Sequence, residues 1–233
     1  MAHQKGAARK GPKGFYAVLA GVAIVGLIAL GYAVRSGGAV TEPVELTGMD
    51  DLRTLVQTAQ GVAIGSPEAP VKMLVFSDYQ CPYCGQFAAQ MKPLLEENEV
   101  AQGMLQVVFY DFPLGGGHRH SFIAARAARC AGDQGKFWEY HDLLYGQQSR
   151  WSPKPSTPMG DFEDFAQRIG LDVAEFKGCL NSDRHADVVT ANRMLGLQLG
   201  VNATPTVIIN GKRVPNALDY QNISAMIARE AGA

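Results

Sequence analysis

The chain has 233 residues and 47% of them are hydrophobic, which suffices for one ordinary domain with its own core and a shorter appendage. A formal net charge of −1 argues against a protein that binds nucleic acid or an acidic substrate. Four cysteines are too few to hold a small fold together by disulfides alone.

The N-terminal region has the charge pattern of a membrane anchor. Residues 1–14 include lysines and arginines but no acidic residue, and residues 15–34 carry no charge. Twenty helical residues at about 1.5 Å each span a hydrocarbon core of about 30 Å. The positive-inside rule then predicts a cytoplasmic basic tail, a single-pass transmembrane helix over 15–34 and an extracytoplasmic remainder. A cleaved signal peptide is the alternative, but its apolar run is usually only about 7–15 residues long.

Residues 35–60 are predicted to link this anchor to the folded domain. A short helix over 50–59 is predicted within the linker, with Asp50 as its N-terminal cap. Its apolar face would consist of Leu52, Leu55 and Val56. Residues 61–70 are predicted to be turns, because their two prolines prevent a strand from starting earlier.

A buried strand, a tight loop and a helix are predicted from residue 71 onwards. The strand is the apolar run VKMLVF, and the helix is indicated by Phe87, Met91 and Leu95 at helical spacing. Pro93 is expected to kink this helix, because proline lacks the N–H that a helix interior needs.

Two cysteines stand where this loop meets the helix, in the motif Cys81-Pro82-Tyr83-Cys84. A thiol at a helix N-terminus faces unpaired backbone N–H groups and the positive end of the helix dipole, which favour its thiolate. The thiolate is the nucleophile of disulfide exchange. Cys81 is therefore the predicted nucleophile, and Cys84 is the predicted resolving thiol, more buried and close enough to release a mixed disulfide.

The remaining elements follow in the order strand, helices, strands and helix. Residues 105–112 are predicted to form a buried parallel strand. Helices are predicted over 121–130, 137–145, 161–169 (capped by Asp161), 172–180 and 186–199, with a proline-rich loop over 149–160 and a buried stripe of Val188, Ala191, Leu195 and Leu199 on the last helix. A strand at 207–210, a hairpin turn at Asn210-Gly211, a partner strand at 212–215 and a helix over 219–230 complete the pattern.

Together with Thr204-Pro205-Thr206 downstream, the segment SDYQCPYCGQF resembles the active site of the DsbA-type thiol–disulfide oxidoreductases. The resemblance extends from about residue 61 to the C-terminus. It implies an α/β thioredoxin-like fold in two parts, 61–115 and 201–233, which flank an inserted α-helical domain at 116–200. It implies no cofactor.

The resemblance also implies roles for residues around the dithiol. Sequence alone predicts a trans bond before Pro205, because only about 5–6% of such bonds are cis. The resemblance instead implies a cis Pro205 that faces the dithiol and leaves the backbone of Thr204 as an edge for an extended substrate. Pro82 and Tyr83 are expected to tune the redox potential, in a direction that the sequence leaves open.

Cys130 and Cys179 fall on separate predicted helices of the inserted domain. In an exported protein a structural disulfide between them is preferred over two buried free thiols. No metal site is expected, because a zinc site built on the dithiol would need a second pair of cysteines or histidines. A copper(I) site on the dithiol is the rival from another class of function.

Proton transfer is the feature in which the chain departs from the resemblance. DsbA-like proteins commonly have a buried acid six positions before the first cysteine, and Val75 stands there. The role of that acid would fall to water, to Asp78, which is expected in the loop, or to no group at all. His118 and His120 are candidate acid–base groups or metal ligands, but the simpler interpretation is a solvated helix entry.

The predicted function is extracytoplasmic thiol–disulfide exchange with exported cysteine-containing proteins, with oxidation as the preferred direction. The resemblance implies reoxidation by a quinone-linked membrane protein, either DsbB-like or similar to vitamin K epoxide reductase. A reductase or isomerase is the alternative within the class, and a non-enzymatic scaffold is a further one. A membrane-anchored monomer is expected, because residues 36–60 are too short for the dimerisation domain of a dimeric isomerase.

Overall fold

The computed structural model describes residues 38–232. The predicted basic tail (1–14) and transmembrane helix (15–34) lie outside the described residues. Among residues 38–232, no helix is both long enough and apolar enough to cross a bilayer.

A single mixed sheet of five strands supports the part of the chain that the structure describes. The strands are β1 (Val62–Ile64), β2 (Val71–Ser77), β3 (Leu105–Asp111), β4 (Thr206–Ile209) and β5 (Lys212–Arg213), in the spatial order β1-β3-β2-β4-β5. β2 and β3 are parallel, as their apolar runs indicate, and the other three pairings are antiparallel.

β1 corrects the prediction that residues 61–70 are only turns. Its three residues pair antiparallel with Val107 to Phe109 of β3. A Cβ on Gly61 would lie 2.4 Å from Cγ1 of Val108, so glycine lets the chain approach the sheet closely at this point. A strand of three residues is too short to show the alternation of apolar and polar residues by which strands are recognised in a sequence. The pairing with β3 stabilises it.

The predicted linker contains a helix, α1 (Leu52–Thr58). Its cap is Asp51, not the predicted Asp50, because the Asp51 carboxylate accepts hydrogen bonds from the N–H groups of Arg53 and Thr54. The predicted apolar face is wrong in part. Leu55 is fully buried against the last helix of the insertion, whereas Leu52 and Val56 are exposed.

The helix that follows the cysteine motif, α2, runs over residues 82–100 with alternating α and π turns. Its segments are Pro82–Gln86 (α), Phe87–Met91 (π), Lys92–Leu95 (α) and Glu96–Val100 (π). The expected irregularity at Pro93 takes the form of a π turn directly before it. Proline has no N–H to donate, and a π turn is one of the devices by which a helix accommodates that loss.

Six helices between β3 and β4 form a second core beside the sheet, within the described chain. They are α3 (Ser121–Gly132), α4 (Phe137–Gly146), α5 (Gln148–Trp151), α6 (Met159–Arg168), α7 (Val173–Leu180) and α8 (Ala186–Gln198). The disulfide between Cys130 of α3 and Cys179 of α7 agrees with the preferred pairing.

Three details of this helical region differ from prediction. α5 lies in the segment predicted as a loop, and its Trp151 is fully buried with its indole N–H donating to the Leu144 carbonyl at 2.8 Å. α6 begins before Asp161, which lies in the first turn and is not the cap. On α8 the buried stripe includes Val189, whereas Leu199 is exposed.

The C-terminal part returns to the sheet as predicted. Asn210 and Gly211 both have positive φ values, 43° and 81°, as a tight hairpin turn requires. α9 (Tyr220–Glu230) is capped by Asp219 and buries Ile223 and Ile227 in the core formed by the sheet and α2.

Candidate active site

Cys81 and Cys84 stand at the point where β2 gives way to α2. Cys81 is the N-cap of the helix, Pro82 occupies its first position, and Cys84 lies in its first turn. Cys81 is 5% exposed and Cys84 1% exposed, so both thiols are buried and Cys81 is the more accessible. This order agrees with the predicted roles of nucleophile and resolving thiol.

The loop before β4 places Thr204 against the dithiol. Residue Phe76 of β2 pairs with Thr206 of β4, so strand pairing carries this loop to the end of β2 that leads into the motif. The Sγ atom of Cys81 lies 3.3 Å from the Thr204 carbonyl oxygen. The peptide bond between Thr204 and Pro205 is cis, as the resemblance implies.

The environment of Cys81 favours its thiolate. The pKa of Cys81 is lowered from an ordinary value of 9.0 to about 5, and the largest cause is a hydrogen bond from the Cys84 thiol. Hydrogen bonds from the Thr204 side chain and from the N–H groups of Cys84 and Tyr83 contribute to this lowering, and burial opposes it. The Thr204 hydroxyl is buried and has no hydrogen-bond partner of standard geometry among the described residues, so it is available to donate to this sulfur.

The environment of Cys84 favours the protonated thiol. Burial raises the pKa of the Cys84 thiol well above its ordinary value, and the hydrogen bond and negative charge of Cys81 add to the rise. The Asp78 N–H, 3.5 Å from the Cys84 sulfur, and the Ser77 side chain oppose it. Cys84 must therefore lose a proton before it can attack a mixed disulfide.

Tyr83 acts on Cys81 through its backbone N–H. Its side chain is 61% exposed, and points to no buried partner that would fix it. Of the two expected redox-tuning residues, Pro82 shapes the first helical turn and Tyr83 supplies one of its N–H groups.

Asp78 and His118 form a charged pair beside the dithiol that the sequence did not bring together. The Asp78 carboxylate is 1% exposed and accepts hydrogen bonds from the N–H groups of Gln80 at 2.6 Å and Leu114 at 2.7 Å. Nδ1 of His118 lies 3.1 Å from Oδ2 of Asp78. This contact raises the pKa of His118, burial lowers it, and the charge of Cys81 adds to the rise.

The interpretation as a solvated helix entry is therefore wrong for His120, which is buried, and holds only in part for His118, whose side chain is 26% exposed. His118 faces the buried Asp78, and His120 is 3% exposed with Nε2 at 2.8 Å from the Lys154 carbonyl. The glycines of the preceding loop include Gly115 and Gly116, with φ values of 74° and 58°. Such turns leave no periodic signal, so the sequence offered nothing that pairs His118 with Asp78.

Val75 lines a small cavity beside Cys84, at the position where the resemblance implies an acid. The cavity has a volume of about 20 Å³, which is room for about one water molecule. Its walls are mainly apolar, and His141 of α4 contributes to them.

One group of potential metal ligands occurs among residues 38–232: Cys130, Cys179 and His185. The two sulfurs of this group are joined in the disulfide, so they are not available as thiolate ligands. Over the same residues, Cys81 and Cys84 belong to no such group of three donors.

Thr204→Val should raise the pKa of Cys81 by about one pH unit, because valine keeps the shape of threonine but cannot donate a hydrogen bond to the thiolate. The pKa is read from the pH dependence of the rate at which iodoacetamide alkylates Cys81 in the reduced protein. The midpoint should lie at about 5 in the wild type. Thr204→Ser retains a hydroxyl and is the matched control. Equal midpoints for the valine and serine variants would show that the hydroxyl does not reach Cys81.

Comparisons with known proteins agree with the fold. The model of a family described as Thioredoxin matches residues 57–229. Disulfide bond formation protein D of Bacillus subtilis is 28% identical over 171 residues, covering 72% of this chain and 75% of the relative. The crystal structure of oxidised BdbD from Bacillus subtilis superposes with a TM-score of 0.67 at 24% identity, covering 84% of this chain and all of that one.

Another relative is a much longer protein. The Na⁺/H⁺ antiporter NhaA 1 of Salinispora arenicola is 34% identical over 181 residues, which cover 77% of this chain. The chain spans only about a quarter of that antiporter's length, 26%. The family match extends over most of the described residues and includes both cysteines and the Thr204-Pro205 loop. The chain belongs to the thioredoxin family.

Proposed function

We propose that this protein-disulfide oxidoreductase oxidises thiols of exported proteins with a Cys81–Cys84 disulfide. The observation that carries the proposal is the asymmetry of the dithiol: the pKa of Cys81 is lowered to about 5 and that of Cys84 is raised. A thiol of low pKa is a good leaving group, so a mixed disulfide at Cys81 releases it readily.

The proposed reaction has two exchange steps. A substrate thiolate attacks Sγ of Cys81, the bond to Cys84 breaks, and Cys84 leaves and takes up a proton. A second substrate thiolate then attacks the substrate sulfur of the mixed disulfide and expels the Cys81 thiolate. The substrate gains one disulfide and loses two electrons, and the enzyme dithiol receives them.

The lowered pKa of Cys81 stabilises the reduced enzyme only within a definite pH range. Because the pKa falls from 9.0 to about 5, the stabilisation of the reduced form is complete above pH 9 and disappears as the pH drops through 5. At pH 7 it amounts to at most about 3 kcal/mol, and less where solvent screens the sulfur. For a two-electron couple this raises the reduction potential by up to about 60 mV.

The equilibrium reduction potential of Cys81–Cys84 tests the direction. It would be measured by glutathione titration of the full-length protein in detergent, with the Cys130–Cys179 bond intact. We expect a value well above the roughly −270 mV of thioredoxin, towards the roughly −120 mV of a strong oxidant. A value near that of thioredoxin would favour a reductase, and a dithiol that does not titrate reversibly would contradict the whole assignment.

The proposal also covers the location of the protein in the cell and two kinds of partner, its substrates and its reoxidant. The uncharged segment 15–34 after a basic tail supports a single-pass membrane anchor with the dithiol outside the cytoplasm. Exported cysteine-containing proteins are the proposed substrates, and the name of the Bacillus subtilis relative assigns disulfide bond formation to that protein. A quinone-linked membrane protein, DsbB-like or similar to vitamin K epoxide reductase, is the proposed reoxidant.

A further inference from the structure

A small cavity separates Cys84 from a histidine that the dithiol mechanism above does not use. We call it the Cys84 cavity. Its lining includes Cys84, Ser77, Val75, His141 and Tyr145. At about 20 Å³ it has room for about one water molecule, and Ser77, His141 and Tyr145 in its lining carry polar side-chain atoms that can bind it.

Three aromatic neighbours and Asp142 fix the His141 ring in the wall of the Cys84 cavity. Its ring lies edge-on to Phe109 at 4.9 Å, Tyr145 at 5.0 Å and Trp138 at 5.1 Å between centroids. Nδ1 lies 2.8 Å from Oδ1 of Asp142, which orients the ring. Within residues 38–232 no hydrogen bond reaches the second ring nitrogen, Nε2.

The charged and titratable groups around His141 come from every element that packs on it. They are Asp142 and Tyr145 of α4, Lys92 and Glu96 of α2, Asp111 of β3, and Tyr79 and Cys84 of the loop and helix start. Burial lowers the pKa of His141, Lys92 lowers it further, and Asp142 and Asp111 oppose them. The ring is therefore neutral at pH 7 and can accept a proton.

Ser77 and Tyr145 connect the two sides of the cavity. Their hydroxyl oxygens lie 2.8 Å apart, and the Ser77 side chain acts to lower the pKa of the Cys84 thiol. Asp78 is the other candidate acceptor for the Cys84 proton, but its carboxylate already has other partners. Its carboxylate oxygens already accept two backbone N–H groups and face His118, and only its N–H touches Cys84.

We propose that His141, oriented by Asp142, receives the Cys84 proton through one water molecule in the Cys84 cavity. This step belongs to reoxidation of the enzyme: the Cys84 sulfur attacks Cys81 in the mixed disulfide with the oxidant, the bond between Cys81 and the oxidant's sulfur breaks, the Cys81–Cys84 bond forms, and the oxidant leaves as a thiolate. The Cys84 proton passes to the water, which gives one of its own to Nε2. The imidazolium returns that proton to solvent or to the departing thiolate. His141 acts on the Cys84 thiol only through the water molecule, so it is a positioning residue and does not contact the reacting atoms.

This inference rests on disulfide exchange at the dithiol, and the test separates the two. Reduced full-length protein is mixed with glutathione disulfide, quenched in acid at set times and analysed by mass spectrometry. Formation of the glutathione adduct on Cys81 reports the first attack, and its decay reports the attack by Cys84. A wild-type protein that forms no adduct would contradict the exchange activity itself, whatever His141 does.

His141→Asn keeps a donor for Asp142 but has no titratable group. We expect adduct formation to be unchanged and adduct decay at pH 7 to be at least about tenfold slower, as for the loss of a general base. The decay should rise about tenfold per pH unit in the variant, because hydroxide must then remove the proton, whereas the wild type should level off above the pKa of His141.

Two further variants distinguish a proton relay from a packing effect. Phe165→Leu loosens the helical core where Phe165 packs on Tyr140, outside the Cys84 cavity, and should lower the melting temperature while the pH profile of decay stays as in the wild type. Asp78→Asn removes the competing acceptor and should leave that profile in place. A wild-type profile in His141→Asn would overturn the proposal, and so would an altered profile in Asp78→Asn alone.

Discussion

Cys81→Ser should lower the rate of disulfide exchange at least about a thousandfold, because a serine hydroxyl is not ionised at neutral pH and cannot form the mixed disulfide. Cys81 is the more accessible thiol and the one whose pKa is lowered to about 5, so the substrate meets its sulfur first. The rate would be measured with a dithiol peptide as substrate, at equal concentrations of the folded variant and the wild type.

Cys84→Ser is the matched variant, and it is expected to fail at a later step, the resolution of the mixed disulfide. Cys81 keeps its position at the helix start but loses the hydrogen bond from the Cys84 thiol, so it should still react while no longer being resolved. With a disulfide-containing peptide as the partner, mixed disulfides at Cys81 should therefore accumulate and be visible on non-reducing gels. If Cys81→Ser accumulated them and Cys84→Ser did not, the two roles would be reversed.

Loss of the Cys130–Cys179 bond should destabilise the oxidised protein by roughly 4 kcal/mol in the chain-entropy model. The bond joins α3 to α7 across a separation of 49 positions, and both cysteines are buried. For a domain of this size the change corresponds to a melting temperature lower by about 10 °C. Differential scanning calorimetry of Cys130→Ala/Cys179→Ala against the wild type measures it.

The single variant Cys179→Ala separates the cross-link from packing. It breaks the same bond but leaves the Cys130 sulfur in the core, so its melting temperature should nearly equal that of the double variant. A double variant that is much less stable than the single one would assign the loss to the missing sulfur atoms. A wild-type melting temperature in both variants would mean that the bond contributes nothing to stability.

Local chemistry explains which parts of the site could be predicted from sequence. Two cysteines at a strand-to-helix junction and a Thr-Pro before a strand are recognisable within a few residues, and the structure places Cys81 beside Thr204. Long apolar runs likewise predicted β2 and β3, because a strand buried on both faces needs little context. β1 has three residues and exists only through its pairing with β3.

The parts that could not be predicted depend on contacts between distant segments. Asp78 meets His118 only because the glycine loop turns back across the end of β2, and neither residue stands in a spaced motif. His141 occupies an ordinary position of an amphipathic helix, and nothing in its neighbours along the chain marks it. Its relation to Cys84 exists only where α4 packs over the sheet.

The contact between Cys81 and Thr204 joins residues 123 positions apart, and this spacing has a consequence in time. At about 5–20 residues per second, a ribosome needs roughly 6–25 s to synthesise the chain between them. Throughout that interval the nascent chain carries both cysteines without the Thr204 hydroxyl and carbonyl. The newly made dithiol behaves more like an ordinary pair of thiols until β4 docks beside β2, so its reactivity matures only after most of the chain has been made.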